Sequence, residues 1–162
     1  MADSSFDVVS DFDQQELVNA LDQVRREIAT RYDFKDAHVT LELAKTEVVL
    51  QADDEYRATA VKDLVQSKAV RRGLSLKIFD WGKVESAAGG TVRQHIGLKR
   101  GLTSEQAKEI SKIVRDRFPK LKPAIQGDAV RVSGKSRDEL QGVIGHLRAL
   151  DYPVALQFEN YR

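Results

Sequence analysis

The sequence contains no cysteine, and it has only one tryptophan, one methionine and three prolines in 162 residues. Without cysteine, a disulfide scaffold, a thiolate zinc site, an iron–sulfur centre and a cysteine nucleophile are all excluded. No stretch reaches the roughly 18 apolar residues that a membrane-spanning helix requires. The first twenty residues hold five Asp or Glu, neither Lys nor Arg, and no apolar core of the kind found in signal peptides. These absences predict a cytoplasmic protein with no membrane partner.

The composition is that of a folded protein, with 41% hydrophobic and 31% charged residues. The length fits one ordinary domain or two small domains of about 80 residues each. The net charge of +1 hides an asymmetry, because residues 1–55 carry a balance of −9 and residues 56–162 a balance of +10. Three explanations stay open: an anionic ligand on the basic side, two lobes that attract each other, or solvated helix faces that segregate by sign.

The hydrophobic pattern predicts the same order of elements twice. In the first half, alternating apolar residues predict strands near residues 6–11, 39–43, 48–50 and 74–78. Apolar spacings of three and four predict two intervening helices, with Asp13 and either Asp53 or Asp54 as N-caps. In the second half, strands are expected over residues 92–98, 121–126, 129–134 and 154–158, and helices after the caps Thr103 and Ser136.

The two halves superimpose in sequence. With a shift of 90 residues, Phe6 and Val8 fall on Ile96 and Leu98. Each half then has the order β-α-β-β-α-β, which is typical of the ferredoxin-like fold. We therefore expect an α+β protein that duplicates this fold, each copy having two helices on one face of a four-stranded antiparallel sheet.

Motifs for catalysis are scarce. The three histidines are scattered, and no HExxH, GxGxxG or GxSxG motif occurs. The sequence therefore predicts no enzyme activity, no metal and no cofactor. Gly134-Lys135-Ser136 resembles the end of a Walker A loop, but Ala129 stands where that motif needs glycine. A helix N-terminus with an adjacent lysine can still attract phosphate, and a plain capped turn is the alternative.

Basic residues of the second half are the candidates for binding phosphate. Arg131 lies in mid-strand between two valines, so we expect its side chain on the sheet face that the helices leave open, where it can pair with a phosphate or stack on a base. The other candidate basic residues are Lys99, Arg100, Lys135 and Arg137. Phe158 and Tyr161 are candidate stacking aromatics, and core packing is the alternative for Phe158.

Four separated segments resemble the signatures of the bacterial YajQ family. They are SFDVVSDFD at residues 5–13, EIATRYDFK at 27–35, IQGDAVRVSGKSRDELQ at 125–141 and LQFENYR at 156–162. The resemblance implies two ferredoxin-like domains with exchanged N-terminal strands. On that view, residues 11–100 with strand 91–99 form the first domain, and residues 1–10 plus 101–162 form the second.

The resemblance also implies a function without catalysis. Family members are described as nucleotide-binding, and some are effectors of cyclic-di-GMP that act with a transcription regulator; GTP and ATP are further candidate ligands. An RNA- or tRNA-binding module of similar fold is the alternative, although residues 46–52 and 128–134 contain no aromatic residue. Residues 31–35 fit an interdomain hinge better than a ligand contact, and both interpretations stay open.

Overall fold

The computed structural model describes residues 3–162, which form four α-helices and eight β-strands. The helices are α1 Gln14–Thr30, α2 Glu55–Arg71, α3 Ser104–Arg117 and α4 Arg137–Ala149. The strands are β1 Ser4–Val9, β2 Thr40–Leu43, β3 Glu47–Ala52, β4 Phe79–Ser86, β5 Val92–Leu98, β6 Lys122–Gln126, β7 Ala129–Gly134 and β8 Gln157–Glu159. Residues 1 and 2 of the predicted second domain lie outside the described range. None of the described helices combines the length and apolar character needed to cross a bilayer.

Each helix begins at an N-cap that the sequence predicts. The caps are Asp13, Asp54, Thr103 and Ser136, and the side chain of each accepts a backbone N–H of the first turn. Such bonds satisfy donors that have no partner inside the helix. The four helix starts are therefore determined by local sequence.

Unit 1 comprises residues 3–11 and 100–162, and its antiparallel sheet has the strand order β6-β7-β1-β8. Phe6 lies opposite Val132, and both are fully buried against α3 and α4. Asp7 and Arg131 are directly opposite each other. Because side chains alternate along a strand, this pair lies on the face that the helices leave open.

Unit 2 comprises residues 12–99, with the strand order β2-β3-β5-β4 and with α1 and α2 as its helices. Ile96 of the central strand β5 lies opposite Val48, and both are buried. The β4–β5 register shifts between Trp81 and Val84. A Cβ on Gly82 in this bulge would stand 2.5 Å from the carbonyl oxygen of His95, so only glycine fits there.

The prediction of an α+β protein with two four-stranded antiparallel sheets is confirmed, and both sheets are consistent with a duplicated ferredoxin-like fold. The strand predicted over residues 74–78 is wrong, and the strand predicted over 154–158 is correct only at its end. Leu76–Ile78 forms a short 3₁₀ turn, because Ser75 Oγ accepts the N–H of Lys77, and the strand starts only at Phe79. The last strand starts only at Gln157. The preceding neighbours Val154 and Ala155 are both buried, so they lack the alternation of buried and exposed side chains that a strand would show.

Candidate functional site

A cavity of about 500 Å³ opens in unit 1 beside the start of α4. Three lysines line it: Lys120, Lys122 and Lys135. Its wall also includes the α4 cap Ser136 and the carboxylates of Asp3 and Glu139. We call this space the lysine cavity.

The close packing of Leu121 on Gly134 builds the lysine cavity. A Cβ on Gly134 would stand 2.3 Å from Leu121 Cδ2, so only glycine lets the buried Leu121 approach this closely. Lys120 and Lys122 flank Leu121 in the chain, and Lys135 follows Gly134. A single apolar contact thus brings lysines from two separate segments to one place.

The electrostatics of the lysine cavity favour an anion. Three ammonium groups face two carboxylates. Within residues 3–162, none of these lysines has an ion-pair partner. Ser136 Oγ accepts the N–H of Glu139 at 3.2 Å, which fixes the first turn of α4, whose dipole also attracts negative charge. The arrangement can bind phosphate through charge-assisted hydrogen bonds.

Only part of the lysine cavity is indicated by the sequence. Lys135 lines it as the GKS motif indicates, whereas Arg137 is exposed at the first position of α4 and is not among the lining residues. Lys120 and Lys122 were missed. The pairing of Lys122 with Ser133 in the β6–β7 hairpin is the signal that could have placed them near the motif.

Arg131 lies on the open face as predicted, but its guanidinium is bound within the protein. Its Nε donates to Asp7 Oδ1 at 2.8 Å and its Nη2 donates to Asp7 Oδ2 at 3.3 Å. Asn160 Nδ2 donates to the same carboxylate at 2.8 Å. The hydrogen bond from Arg131 is the main cause that lowers the pKa of Asp7, and burial opposes it. Much of the donor capacity expected to meet a ligand is therefore used by Asp7.

The structure corrects the placement of the candidate stacking aromatics. Phe158 lies opposite Val8 and packs edge-on against the fully buried Phe6, with ring centroids 6.0 Å apart. Tyr161 stacks on Phe6 at 6.3 Å with an interplanar angle of 7°. Both rings therefore lie on the helix-covered side, and neither is available on the open face.

A bulge at the end of the chain explains the position of Tyr161. Asn160 has a φ of +56°, and Ser5 exchanges two backbone hydrogen bonds with Arg162 at 3.1 and 2.9 Å. Since Asp7 lies opposite Glu159, the pairing has shifted by one residue. This shift returns Tyr161 to the side of Phe6.

The remaining two candidates belong to different units. Arg100, in unit 1, forms an ion pair with Asp11. Lys99 belongs to unit 2, where its backbone N–H donates to the carbonyl of Ile78 at 2.8 Å. In unit 1, only Lys135 of the predicted residues lines the cavity. Across residues 3–162, no group of three or more His, Asp or Glu side chains could hold a metal ion.

Comparison with known proteins gives the family. The family model described as "Nucleotide-binding protein YajQ-like" matches residues 4–162. A nucleotide-binding protein of Chloroflexus aggregans is 61% identical over 162 residues, which cover 99% of this chain and 98% of that protein. A nucleotide-binding protein of Synechococcus elongatus is 60% identical over 159 residues, 98% of each chain. The chain therefore belongs to the YajQ family of nucleotide-binding proteins.

Proposed function

We propose that this protein binds the phosphate groups of a nucleotide in the lysine cavity. The observation that carries this proposal is the convergence of Lys120, Lys122 and Lys135 at the start of α4. The volume of about 500 Å³ falls in the range of small-molecule sites. Lys135 is the residue on which we place most of the phosphate contact, because it also adjoins the N-terminal end of a helix dipole.

We further propose that the ligand is a cyclic dinucleotide, with cyclic-di-GMP the first choice and GTP and ATP the competitors. The three ammonium groups outnumber the two carboxylates of the lysine cavity, so the cavity keeps a net positive charge that attracts the phosphodiester groups of such a ligand. The protein then acts without catalysis, as an effector that changes its interaction with a transcription regulator. The regulator stays an implication of the family resemblance, and the cytoplasmic location stays a prediction from the sequence.

The strand order supports the proposal that the two domains exchange their first strands. In a ferredoxin-like unit the first strand leads directly into the first helix of the same unit. Here β1 precedes α1 of unit 2 but pairs with β7 and β8 of unit 1, and β5 precedes α3 of unit 1 but pairs with β3 and β4 of unit 2. We propose domains of residues 11–100 and of residues 1–10 with 101–162 on this basis.

An RNA-binding function has weaker support. Modules of this fold stack bases on aromatic residues of the open sheet face. In the described strands, Phe158 lies on the helix-covered side of unit 1, and Phe79 and Trp81 lie on the side of buried Ile96 in unit 2. The open faces therefore offer no aromatic platform in these strands.

Calorimetric titration with cyclic-di-GMP, GTP, ATP and a short RNA tests the proposal. We expect saturable binding of cyclic-di-GMP. Lys135→Ala should weaken this binding about tenfold, because the variant loses roughly one charge-assisted hydrogen bond to phosphate. Lys122→Ala has a similar expected effect. Lys112→Ala, which removes an exposed lysine of α3 outside the cavity, is the matched control and leaves the affinity unchanged. Equal affinities of Lys135→Ala and the wild type would place the ligand elsewhere.

A further inference from the structure

Two adjoining cavities lie on the helix side of unit 2 and share no lining residue with the lysine cavity. The first, of about 760 Å³, lies between α1 and α2, and we call it the basic groove; its charged residues are Glu16, Arg26, Glu27, Lys68, Arg71 and Arg72. The second, of about 460 Å³, is the tyrosine pocket, whose polar residues are Arg31, Asp33, Tyr56, Thr59, Asp63 and Ser67. Arg31 of the pocket pairs with Glu27 of the groove at 3.6 Å, so the two cavities share a border.

The basic groove has an excess of positive charge. Glu27 accepts a hydrogen bond from Lys68 Nζ at 3.0 Å, which lowers the pKa of Glu27 and keeps this pair ionised and mutually neutralised. Glu16 lies 3.8 Å from a guanidinium nitrogen of Arg72. Among residues 3–162, Arg26 and Arg71 have no ion-pair partner. The groove therefore offers two uncompensated guanidinium groups to a carboxylate or phosphate.

The tyrosine pocket has the opposite charge. Arg31 and Asp33 neutralise each other through two hydrogen bonds of 2.9 and 2.6 Å, and the guanidinium carbon of Arg31 lies 5.3 Å from the centre of the Phe34 ring. Asp63 is exposed and, within the described chain, has no ion-pair partner. Tyr56 is 74% exposed, which is unusual for a large aromatic side chain on a helix. The pocket thus presents one free carboxylate and one free aromatic ring.

We propose that this face of unit 2 is the docking surface for a protein partner that inserts an arginine into the tyrosine pocket and places an acidic side chain in the basic groove. A guanidinium is attracted by the face of an aromatic ring and donates two parallel N–H groups to a carboxylate. Tyr56 and Asp63 supply these two elements from one face of α2, seven residues apart. The neighbouring Arg26 and Arg71 then attract the acidic residue.

The charge pattern selects a protein over a nucleic acid. In the tyrosine pocket a phosphate would meet the unpaired carboxylate of Asp63, which repels it, and the lining cation Arg31 is already paired with Asp33. The lysine cavity, in contrast, is lined by three lysines that are unpaired within residues 3–162. A partner with one positive and one negative side chain satisfies both cavities at once. The lining residues of both cavities all belong to unit 2, and none of them lines the lysine cavity.

Nuclear magnetic resonance titration of the full chain tests the proposal, with acetylated and amidated peptides as probes. The probes are Arg-Ala-Ala-Glu, its Lys-Ala-Ala-Glu analogue, and single acetylated arginine and glutamate amides. We expect amide shifts in α1 and α2, with the linked arginine peptide at least tenfold tighter than either single amino acid because the second contact becomes intramolecular. The lysine analogue binds more weakly, since it lacks the planar fork.

Variants of exposed residues locate the contacts without threatening the fold. Tyr56→Ala weakens the arginine peptide about fivefold or more and Tyr56→Phe keeps its affinity, because the attraction needs the ring and not the hydroxyl. Tyr32→Ala, which removes a tyrosine that is 89% exposed and outside the lining, is the control. Lys135→Ala leaves peptide binding unchanged even if nucleotide binding fails. The proposal would be overturned if millimolar peptide caused no amide shifts in α1 and α2, or if Tyr56→Ala bound the peptide as tightly as the wild type. Amide shifts in α1 and α2 on addition of GMP alone would also contradict it.

Discussion

The carboxylate of Asp7 links three neighbouring segments of the unit 1 sheet through hydrogen bonds. It lies on β1, receives two hydrogen bonds from Arg131 of β7 and a third from Asn160, just after β8. Only 11% of its side chain is exposed, so these bonds are poorly screened by solvent. A buried carboxylate of this kind stabilises the fold only while it is ionised and paired.

We expect Asp7→Asn to lower the free energy of unfolding by about 2 kcal/mol at pH 7, because charge-assisted hydrogen bonds become neutral ones. The pKa of Asp7 is lowered in the folded state, so its contribution is present above the unfolded pKa near 3.8 and is lost as pH falls through the lower folded value. Urea unfolding followed by circular dichroism at pH 7 and below pH 4 measures both effects. The difference between wild type and variant should shrink in acid.

Asp116→Asn is the matched control, since Asp116 is an exposed carboxylate of α3 without an ion pair in the described chain. Its expected effect lies within about 0.5 kcal/mol at both pH values. A constant difference between Asp7→Asn and the wild type across this pH range would contradict the assigned role of the charge.

Substitution by alanine is expected to change stability in opposite directions at Gly134 and Gly145. In Gly134→Ala the new methyl group meets buried Leu121, so we expect a loss of about 1–3 kcal/mol and a rearranged lysine cavity. In Gly145→Ala the methyl group has nothing within 4 Å and lies inside α4, where alanine is favoured by up to about 1 kcal/mol. Thermal unfolding of the two variants should therefore shift in opposite directions. A gain in stability from Gly134→Ala would show that Leu121 can move away freely.

At the scale of elements, the start of α3 is fixed by two reciprocal hydrogen bonds. Thr103 Oγ1 accepts the N–H of Gln106 at 3.2 Å, and Gln106 Oε1 accepts the N–H of Thr103 at 3.0 Å. We expect Thr103→Ala to cost about 1 kcal/mol and Thr103→Ser to cost little, since serine keeps the accepting oxygen. Melting temperatures of both variants measure this. Equal losses in the two variants would mean that the threonine methyl group, and not the cap, matters.

The elements were predictable wherever local chemistry decides them. The caps, the helix stripes and the alternation of β1, β5 and β7 all follow from neighbouring residues. A strand is predicted wrongly over Leu74–Ile78 because apolar residues alternate with polar ones there. The segment forms a short 3₁₀ turn instead, and Leu76 remains 40% exposed. No local sequence pattern predicts the bulge at Asn160, because the pairing of residue 162 with Ser5 of β1 determines it.

The candidate site was less predictable than the fold, for a physical reason. Lys135 follows from a local motif, but Lys120 and Lys122 join it only through the tertiary contact of Leu121 with Gly134. Arg131 was placed on the correct face, yet its partner Asp7 comes from a strand more than 100 residues away in the chain. Which cations are left unpaired is a property of the folded molecule.

At the scale of the whole molecule, the charge asymmetry of the sequence disappears on folding. Unit 2 holds 14 basic and 14 acidic residues, and unit 1 holds 12 basic and 11 acidic residues. The asymmetry arose because residue 55, where the balance changes sign, lies inside unit 2. Neither unit has a net charge that would attract polyanions over a long range, so the proposed binding depends on the local charge of the lysine cavity.

This charge balance predicts a shallow salt dependence for nucleotide binding. A cyclic dinucleotide is a small dianion without the condensed counterion layer of a nucleic acid, so we expect its affinity to fall by less than about tenfold between 50 and 200 mM salt. A nucleic acid that relied on six or more phosphate contacts would lose about a thousandfold over the same range. Calorimetry of both ligands at the two salt concentrations, with Lys135→Ala beside the wild type, separates the cases. A steep loss for cyclic-di-GMP, or RNA binding that survives 200 mM salt and is insensitive to Lys135→Ala, would contradict a local phosphate site and point to a broader basic surface.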